Sequence, residues 1–264
     1  MSGPGSALAA YHSAHWRLIV DTRPHTGAVN MAIDETIMEA VSAGGVPPTL
    51  RFYQWAPPCI SLGKRQPLSG IDLERCRQDG VQVVRRPTGG LAILHTDELT
   101  YSLATYPDDP RGGGAILDSY RKLSQGLMRG LELLRLKAQM QPVGPGASHN
   151  ASAACFEAPS AYEITVDRRK LIGSAQTRPH GKLLQHGSVP LTGDIGRLAR
   201  YLVPETSAQA EALYLQLRQR ATTLEAVLGR PIPFSEAAAA MAQGFMEALN
   251  LDLEAGELSD DEMA

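Results

Sequence analysis

Apolar and polar positions alternate through the middle of this chain and fall into 3.6-residue stripes around it. "WRLIVD" (16–21) and "TLRFYQW" (49–55) alternate as strands do. Ile33, Ile37 and Val41 share one face of a predicted helix in "MAIDETIMEAV", with Asn30 as its cap. After the Pro57-Pro58 break, "CISLGKRQ" reads as another strand, and "DLERCRQDG" as a short helix that stops at Gly80. "VQVVRR" (81–86) is β-rich and ends at "PTGG"; "LAILH" and "LTYSLAT" then read as a second strand pair. Tyr120, Leu123, Leu127, Leu131 and Leu134 recur at helical spacing. Residues 141–154 hold Pro, Gly, Ser and Asn and little that packs, which predicts a loop running into Cys155.

"YEITV" and "KLIGSAQTR" flank Asp167-Arg168-Arg169 and predict a hairpin; "LLQHGSVPL" supplies one more strand. Two helices are expected to close the chain. One runs through "AEALYLQLRQRATTLEAVLG", and the other, "EAAAAMAQGFMEALN", follows Ser235 as a cap. Strands cluster centrally without βαβ alternation, so the expected class is α+β, with mixed, largely antiparallel sheets flanked by helices. The expected organisation is a flexible tail over 1–15, one domain over 16–251 and an acidic tail over 252–264.

Composition narrows the function classes. The 264 residues are 43% hydrophobic and 20% charged, enough apolar material for a sizeable core. A net charge of -3 gives nucleic-acid binding no support. No apolar run approaches the roughly 20 residues of a membrane span, and the N-terminus lacks a signal-peptide pattern. Cys59, Cys76 and Cys155 are odd in number and lack CxxC spacing, which argues against a disulfide framework and a cysteine-rich zinc site. The expectation is a cytoplasmic protein, monomeric, with no metal, no cofactor, no nucleic-acid partner and no membrane partner.

Four stretches are candidates for chemistry. In "RRPTGG" (85–90), Pro87 fixes a turn and Gly89-Gly90 open backbone conformations closed to other residues, so amides there can approach an anion or a carbonyl; Arg85 or Arg86 can add charge. A plain strand-to-strand turn explains the same residues. Cys155 is either an apolar filler, the usual role of an isolated cysteine, or a nucleophile, a reading strengthened by its place where a loop meets a strand. Cys59 and Cys76 read as packing. Lys170 leads Leu171-Ile172-Gly173-Ser174-Ala175, whose small residues let a ligand lie against the backbone. An ammonium near a thiol lowers the thiol pKa. His95 and His186 suit either a pocket lining with proton transfer or a structural, hydrogen-bonded role.

Taken in order, "RRPTGGLAILHTDELTYSL", "CFEAPSAYEI", "RRKLIGSAQTR" and "LLQHGS" resemble the biotin/lipoate ligase superfamily, and within it the cysteine-dependent octanoyltransferases. "NMAIDE" and "RFYQW" are similar too, and the likeness runs from about Trp16 to Leu251. The resemblance implies that an octanoyl group arrives as a thioester on acyl carrier protein and is taken by Cys155. It then passes to a lysine of a lipoyl domain or of the glycine-cleavage H protein. It also implies that Lys170 lowers the Cys155 pKa. The loop of Arg85, Arg86, Thr88, Gly89 and Gly90, together with His95, Gly173, Ser174, Ala175 and His186, would line the substrate site. The alternatives are an ATP-dependent lipoate–protein ligase, which needs no nucleophilic cysteine, and an amidotransferase between carrier proteins. The chain departs from the pattern at Arg168, where the hairpin usually has glycine, and at Thr96, where aspartate often follows the histidine. The sequence also stops at "LSDDEMA", short of an expected final helix.

Overall fold

The computed structural model describes residues 11–106, 108–142, 162–204 and 206–263. Eleven strands and seven helices lie among them. An eight-stranded mixed sheet contains β1 (Ala14–Val20), β2 (Thr49–Tyr53), β6 (Glu98–Thr105), β7 (Gln139–Pro142), β8 (Tyr162–Val166), β9 (Arg169–Thr177), β10 (Leu183–Pro190) and β11 (Leu251–Ala255). Their order is β11-β1-β2-β6-β10-β9-β8-β7. The pairs β11–β1 and β1–β2 are parallel, and every pair from β2–β6 onward is antiparallel. A three-stranded sheet holds β3 (Cys59–Leu62) between β4 (Gln82–Arg85) and β5 (Ile93–His95). The α+β expectation is met.

Helices α3 (Ile116–Leu133) and α6 (Phe234–Leu249) cover the large sheet. Leu123, Leu127, Leu131, Met241 and Phe245 join Phe52, Leu99 and Tyr101 of the sheet in the main core. Gly244 brings the two helices into backbone contact: a Cβ there would lie 2.3 Å from the Gly130 amide nitrogen. Helix α1 (Gly27–Ser42) packs Ile33, Ile37, Met38 and Val41 with Ile19, Ala104 and Leu184. No helix among the described residues is long and apolar enough to cross a membrane.

Several expectations need correction. Thr26, not Asn30, caps α1, its side chain accepting from the Val29 amide. Asn30 lies one turn inside and is buried. Strands β5 and β6 do not pair with each other; β5 pairs with β3 and β6 with β2 and β10, because Thr96-Asp97 carries the chain from one sheet to the other. The helix expected through residues 210–229 is two, α4 (Ser207–Arg220) and α5 (Leu224–Leu228). Ala221 is extended and bridges Lys170, the Thr222 amide donates to the Lys170 carbonyl at 2.9 Å, and Thr223 caps α5. Tertiary pairing with β9 thus overrides a continuous helical pattern. Helix α6 starts behind Pro233, so Ser235 is in its first turn.

The stretch expected as an acidic tail is built into the fold instead. Strand β11 pairs with β1, and the short α7 (Asp260–Met263) places Glu262 against Arg17, with oxygens 2.5 and 2.7 Å from the guanidinium. Both side chains are buried. At the other terminus, Ala14 and His15 already belong to β1.

The β8–β9 hairpin forms where the sequence places it. Val166 pairs with Arg169, and Asp167 and Arg168 take φ of 49° and 64°. That is the mirror-image turn that matches strand twist. The departure at Arg168 therefore places a residue with a Cβ in the left-handed region, which costs about 1–2 kcal/mol.

Candidate active site

The Arg85–Gly90 turn is braced from below. Arg86 is buried; its Nη1 donates to the Ser61 carbonyl at 2.9 Å, and its Nη2 to the Gly89 and Leu91 carbonyls at 2.8 and 2.9 Å. The guanidinium fork therefore holds the turn's own carbonyls. Gly63 makes this possible from the other side, since a Cβ there would fall 1.9 Å from the Gly90 oxygen. Gly90 has φ of 95°, a conformation that favours glycine. Gly89 faces open space. Arg85 is exposed, and its Nη1 donates to the Gly63 and Gln66 carbonyls, each at 2.7 Å.

Two buried chains of carboxylate, imidazole and hydroxyl support this turn. In the first, His186 on β10 stands between Asp34 and Thr88: Nδ1 lies 3.2 Å from Asp34 Oδ2 and Nε2 lies 2.6 Å from Thr88 Oγ1. Asp34 also accepts from Arg51 Nη1 at 2.9 Å, Tyr53 OH at 2.8 Å and Ser102 Oγ at 2.7 Å. An ionised carboxylate only accepts, so Nδ1 carries a proton; Nε2 then accepts from the Thr88 hydroxyl. Burial pushes the His186 pKa down, helped by the charges of Arg86 and His95 and opposed by Asp34. Burial pushes Asp34 up, yet the bonds from His186 and Ser102 and the charge of Arg51 outweigh it, and its pKa is lowered. A neutral imidazole beside an ionised carboxylate follows.

In the second chain, His95 Nδ1 lies 2.7 Å from Glu98 Oε1, and Nε2 lies 2.7 Å from Ser61 Oγ. Glu98 further accepts from Thr100 at 2.5 Å and Ser188 at 2.6 Å. Trp55 stacks on His95 with centroids 4.0 Å apart and donates Nε1 to Thr100 Oγ1. Arg86 Nη1 reaches Ser61 Oγ at 3.1 Å, so both chains end under the same turn.

Lys170 lies on β9, only 4% exposed, with Nζ 2.8 Å from Glu163 Oε1 on β8. Gly173 leaves room for it: a Cβ there would meet Lys170 Cε at 2.9 Å and Nζ at 3.3 Å. The neighbouring register pairs Gly173 with Ser188, Ser174 with Gly187 and Ala175 with His186. Ser174 Oγ accepts from Tyr101 OH at 2.7 Å. Gly187 must be bare, because a Cβ would lie 2.5 Å from the Gly173 oxygen.

The structure thus brings the Gly-Gly turn, His95, His186, Gly173, Ala175 and Lys170 onto adjoining elements, whereas Ser174, between Gly173 and Ala175 on β9, faces the other way, toward Tyr101. Thr88, His95 and His186 are all buried and spend their polar side-chain atoms on protein partners. Cys155 lies outside the described residues. Cys59 is fully buried, and burial and the Glu98 charge push its thiol up to about 12; burial also raises Cys76. Both read as packing. Sequence reasoning missed Asp34, Arg51, Tyr53, Ser61, Glu98 and Glu163. For Asn30 and Asp34 a signal existed, since they sit on the same stripe as Ile33, Ile37 and Val41.

The family described as lipoyl protein ligase A/B catalytic domain matches residues 26–246. The chain is 43% identical over 256 residues to the octanoyltransferase LipM of Symbiobacterium thermophilum, covering 94% of this chain and 91% of that protein. It is 39% identical over 255 residues to the octanoyltransferase LipM of Brevibacillus brevis, with 94% and 92% covered. Among solved structures, it is similar to a bi-partite lipoate protein ligase of Thermoplasma acidophilum, with a TM-score of 0.78, 22% identity and 94% and 89% of the two chains covered. A crystal structure of lipoate-protein ligase A bound with ATP gives a TM-score of 0.73 at 23% identity, with 95% and 92% covered. At those identities the structural likeness speaks for the fold.

Proposed function

Because the chain belongs to the lipoyl protein ligase A/B catalytic-domain family and is an acyltransferase, we propose that it carries out octanoyl transfer in protein lipoylation by a cysteine thioester route. The donor is octanoyl-acyl carrier protein, the nucleophile is Cys155, and the acceptor is a lysine of a lipoyl domain or of the glycine-cleavage H protein. The observation that carries this reading is the Lys170 ammonium, buried on β9 over bare Gly173 and held by Glu163. Strand β8, which supplies Glu163, begins seven positions after Cys155. A fixed cation there stabilises a thiolate, which is the attacking form of cysteine.

In the first half-reaction the Cys155 sulfur forms a C–S bond to the octanoyl carbonyl carbon. The bond to the donor sulfur breaks, and the donor leaves as a thiolate that takes up the proton cysteine gave up. In the second, the neutral acceptor amine attacks the enzyme thioester, an amide forms, Cys155 leaves as thiolate and the amine gives up a proton. One thioester replaces another in the first step, so no ATP is consumed. Amides of Gly89, Gly90 or Gly173 are the candidate donors to the tetrahedral oxyanion. Thr88, His95 and His186 act by holding the turn, and Arg85, Arg86, Ser174 and Ala175 shape the rest of the substrate site.

Incubation with octanoyl-acyl carrier protein tests this directly. Mass spectrometry should find one octanoyl group on the wild-type chain, labile to hydroxylamine, and none on Cys155→Ala. Transfer that requires ATP and survives Cys155→Ala would replace this reading with a ligase. A chain that ignores octanoyl-acyl carrier protein but accepts octanoyl from a modified H protein would replace it with an amidotransferase.

A further inference from the structure

The Gly-Gly turn has a cationic rim that the chemistry above does not use. Lys64, Arg65 and Arg85 are all exposed. Arg85 is tied to the Gly63–Gln66 segment through its bonds to the Gly63, Lys64 and Gln66 carbonyls at 2.7, 3.3 and 2.7 Å. The Lys64 amide donates to the Thr88 carbonyl at 2.8 Å, which ties the segment to the turn. Among the described residues, no carboxylate pairs with Lys64, Arg65 or Arg85. Across the whole chain, acids outnumber Lys and Arg, 28 to 25, so three cations gathered without an acid run against the average. Clamping carbonyls accounts for Arg85 but for neither Lys64 nor Arg65. Beside them Gly89 is exposed and open, leaving backbone free to approach a ligand.

We infer that Lys64, Arg65 and Arg85 form an anion subsite at the rim of the Gly89–Gly90 turn that takes the phosphodiester of the donor's phosphopantetheine arm. This rests on the octanoyltransferase reading above. Arginine and a glycine turn with open amides suit a phosphate oxygen array. The placement suits an arm with its anion at one end and its thioester at the other. Thr88, next to the rim, touches His186, which pairs with Ala175; Gly173, beneath the Lys170 ammonium, is two residues along β9, roughly 7 Å away. The rim and the buried ammonium therefore lie at the two ends of one chain of contacting residues.

The test compares octanoyl-4′-phosphopantetheine with octanoyl-pantetheine, which share the thioester and differ in the phosphate. Octanoyl-acyl carrier protein serves as the full donor, with the acceptor held constant. A charge-assisted contact predicts a kcat/KM preference for the phosphorylated donor of about ten- to a hundred-fold in the wild type. In the Lys64→Ala/Arg65→Ala variant that ratio should collapse to about two-fold or less, with a matching rise in KM for octanoyl-acyl carrier protein and a flatter salt dependence. General damage to the enzyme would lower both small donors together and keep the ratio. An equal rate for both donors in the wild type, or a ratio and a carrier-protein KM that persist in the variant, overturns the subsite alone. A wild-type chain that takes octanoyl from none of the three donors overturns the octanoyltransferase reading itself.

Discussion

Asp34 of α1 and His186 of β10, 152 positions apart, meet through a 3.2 Å hydrogen bond in the interior. That contact joins a helix, three inner strands and the Gly-Gly turn, because Asp34 also binds Arg51, Tyr53 and Ser102 while His186 binds Thr88. Removing the carboxylate leaves Arg51 buried with part of its charge uncompensated. Asp34→Ala should cost about 3–5 kcal/mol, read from the midpoint of denaturant unfolding. A loss below about 1 kcal/mol would mean the pair is not formed in solution.

The same residues set a pH dependence. His186 has a folded pKa below its unfolded value, so the folded state refuses a proton that the unfolded chain accepts. Stability from this source is full above about pH 6.5 and falls as the pH drops below it. Asp34 and Glu98 are also lowered on folding: for each, burial opposes the shift, and hydrogen bonds and opposite charges win. Their contribution is present above about pH 4 and is lost as the pH falls through their folded values. Unfolding free energies measured from pH 7.5 to 2 should therefore decline in two stages, the first below about pH 6.5 and the second below about pH 4. The first stage should flatten in His186→Gln; a level profile between pH 7 and 5 in the wild type would contradict the neutral, buried imidazole.

Arg168 is the most direct place to gain stability. Its φ of 64° belongs to glycine or asparagine, and its side chain is exposed. Arg168→Gly should stabilise the chain by about 0.5–1 kcal/mol and raise Tm by roughly 2–3 °C. A calorimetric scan showing a lower Tm would indicate that the arginine makes a compensating contact.

Gly63 is where stability and catalysis should separate. A methyl group 1.9 Å from the Gly90 oxygen cannot be accommodated without moving the turn. Gly63→Ala is expected to cost about 1–3 kcal/mol. It should reduce octanoyl transfer more than ten-fold at a temperature where the variant is fully folded by circular dichroism. Transfer at the wild-type rate would detach the turn from the reaction.

Much of this could be read locally. The hairpin of β8 and β9 is written in two β-rich runs around a short turn, and Lys170 and the small residues after it sit where the strand reading puts them. What failed depended on contacts between distant segments. Leu213, Leu217 and Leu224 keep helical spacing across the break at Ala221–Thr223, so only the pairing with Lys170 reveals it. His95 and His186 could be named as candidates, yet their partners Glu98, Ser61, Asp34 and Thr88 come from other elements, and no spacing along the chain announces them. Arg51 looked like the polar half of an alternating strand, but all of β2 is buried and the arginine is there to meet Asp21 and Asp34.

The parallel pairing of β11 with β1 has a consequence for how the chain is made. Strand β1 is paired on one side by β2, but its other edge stays open until Leu251–Ala255 has been synthesised. Through that interval the open edge of a strand carrying Trp16, Leu18 and Ile19 is a template for pairing with another nascent chain. Arg17 and Glu262, 245 positions apart, then close the seam, so a segment made long after β1 ends this exposure.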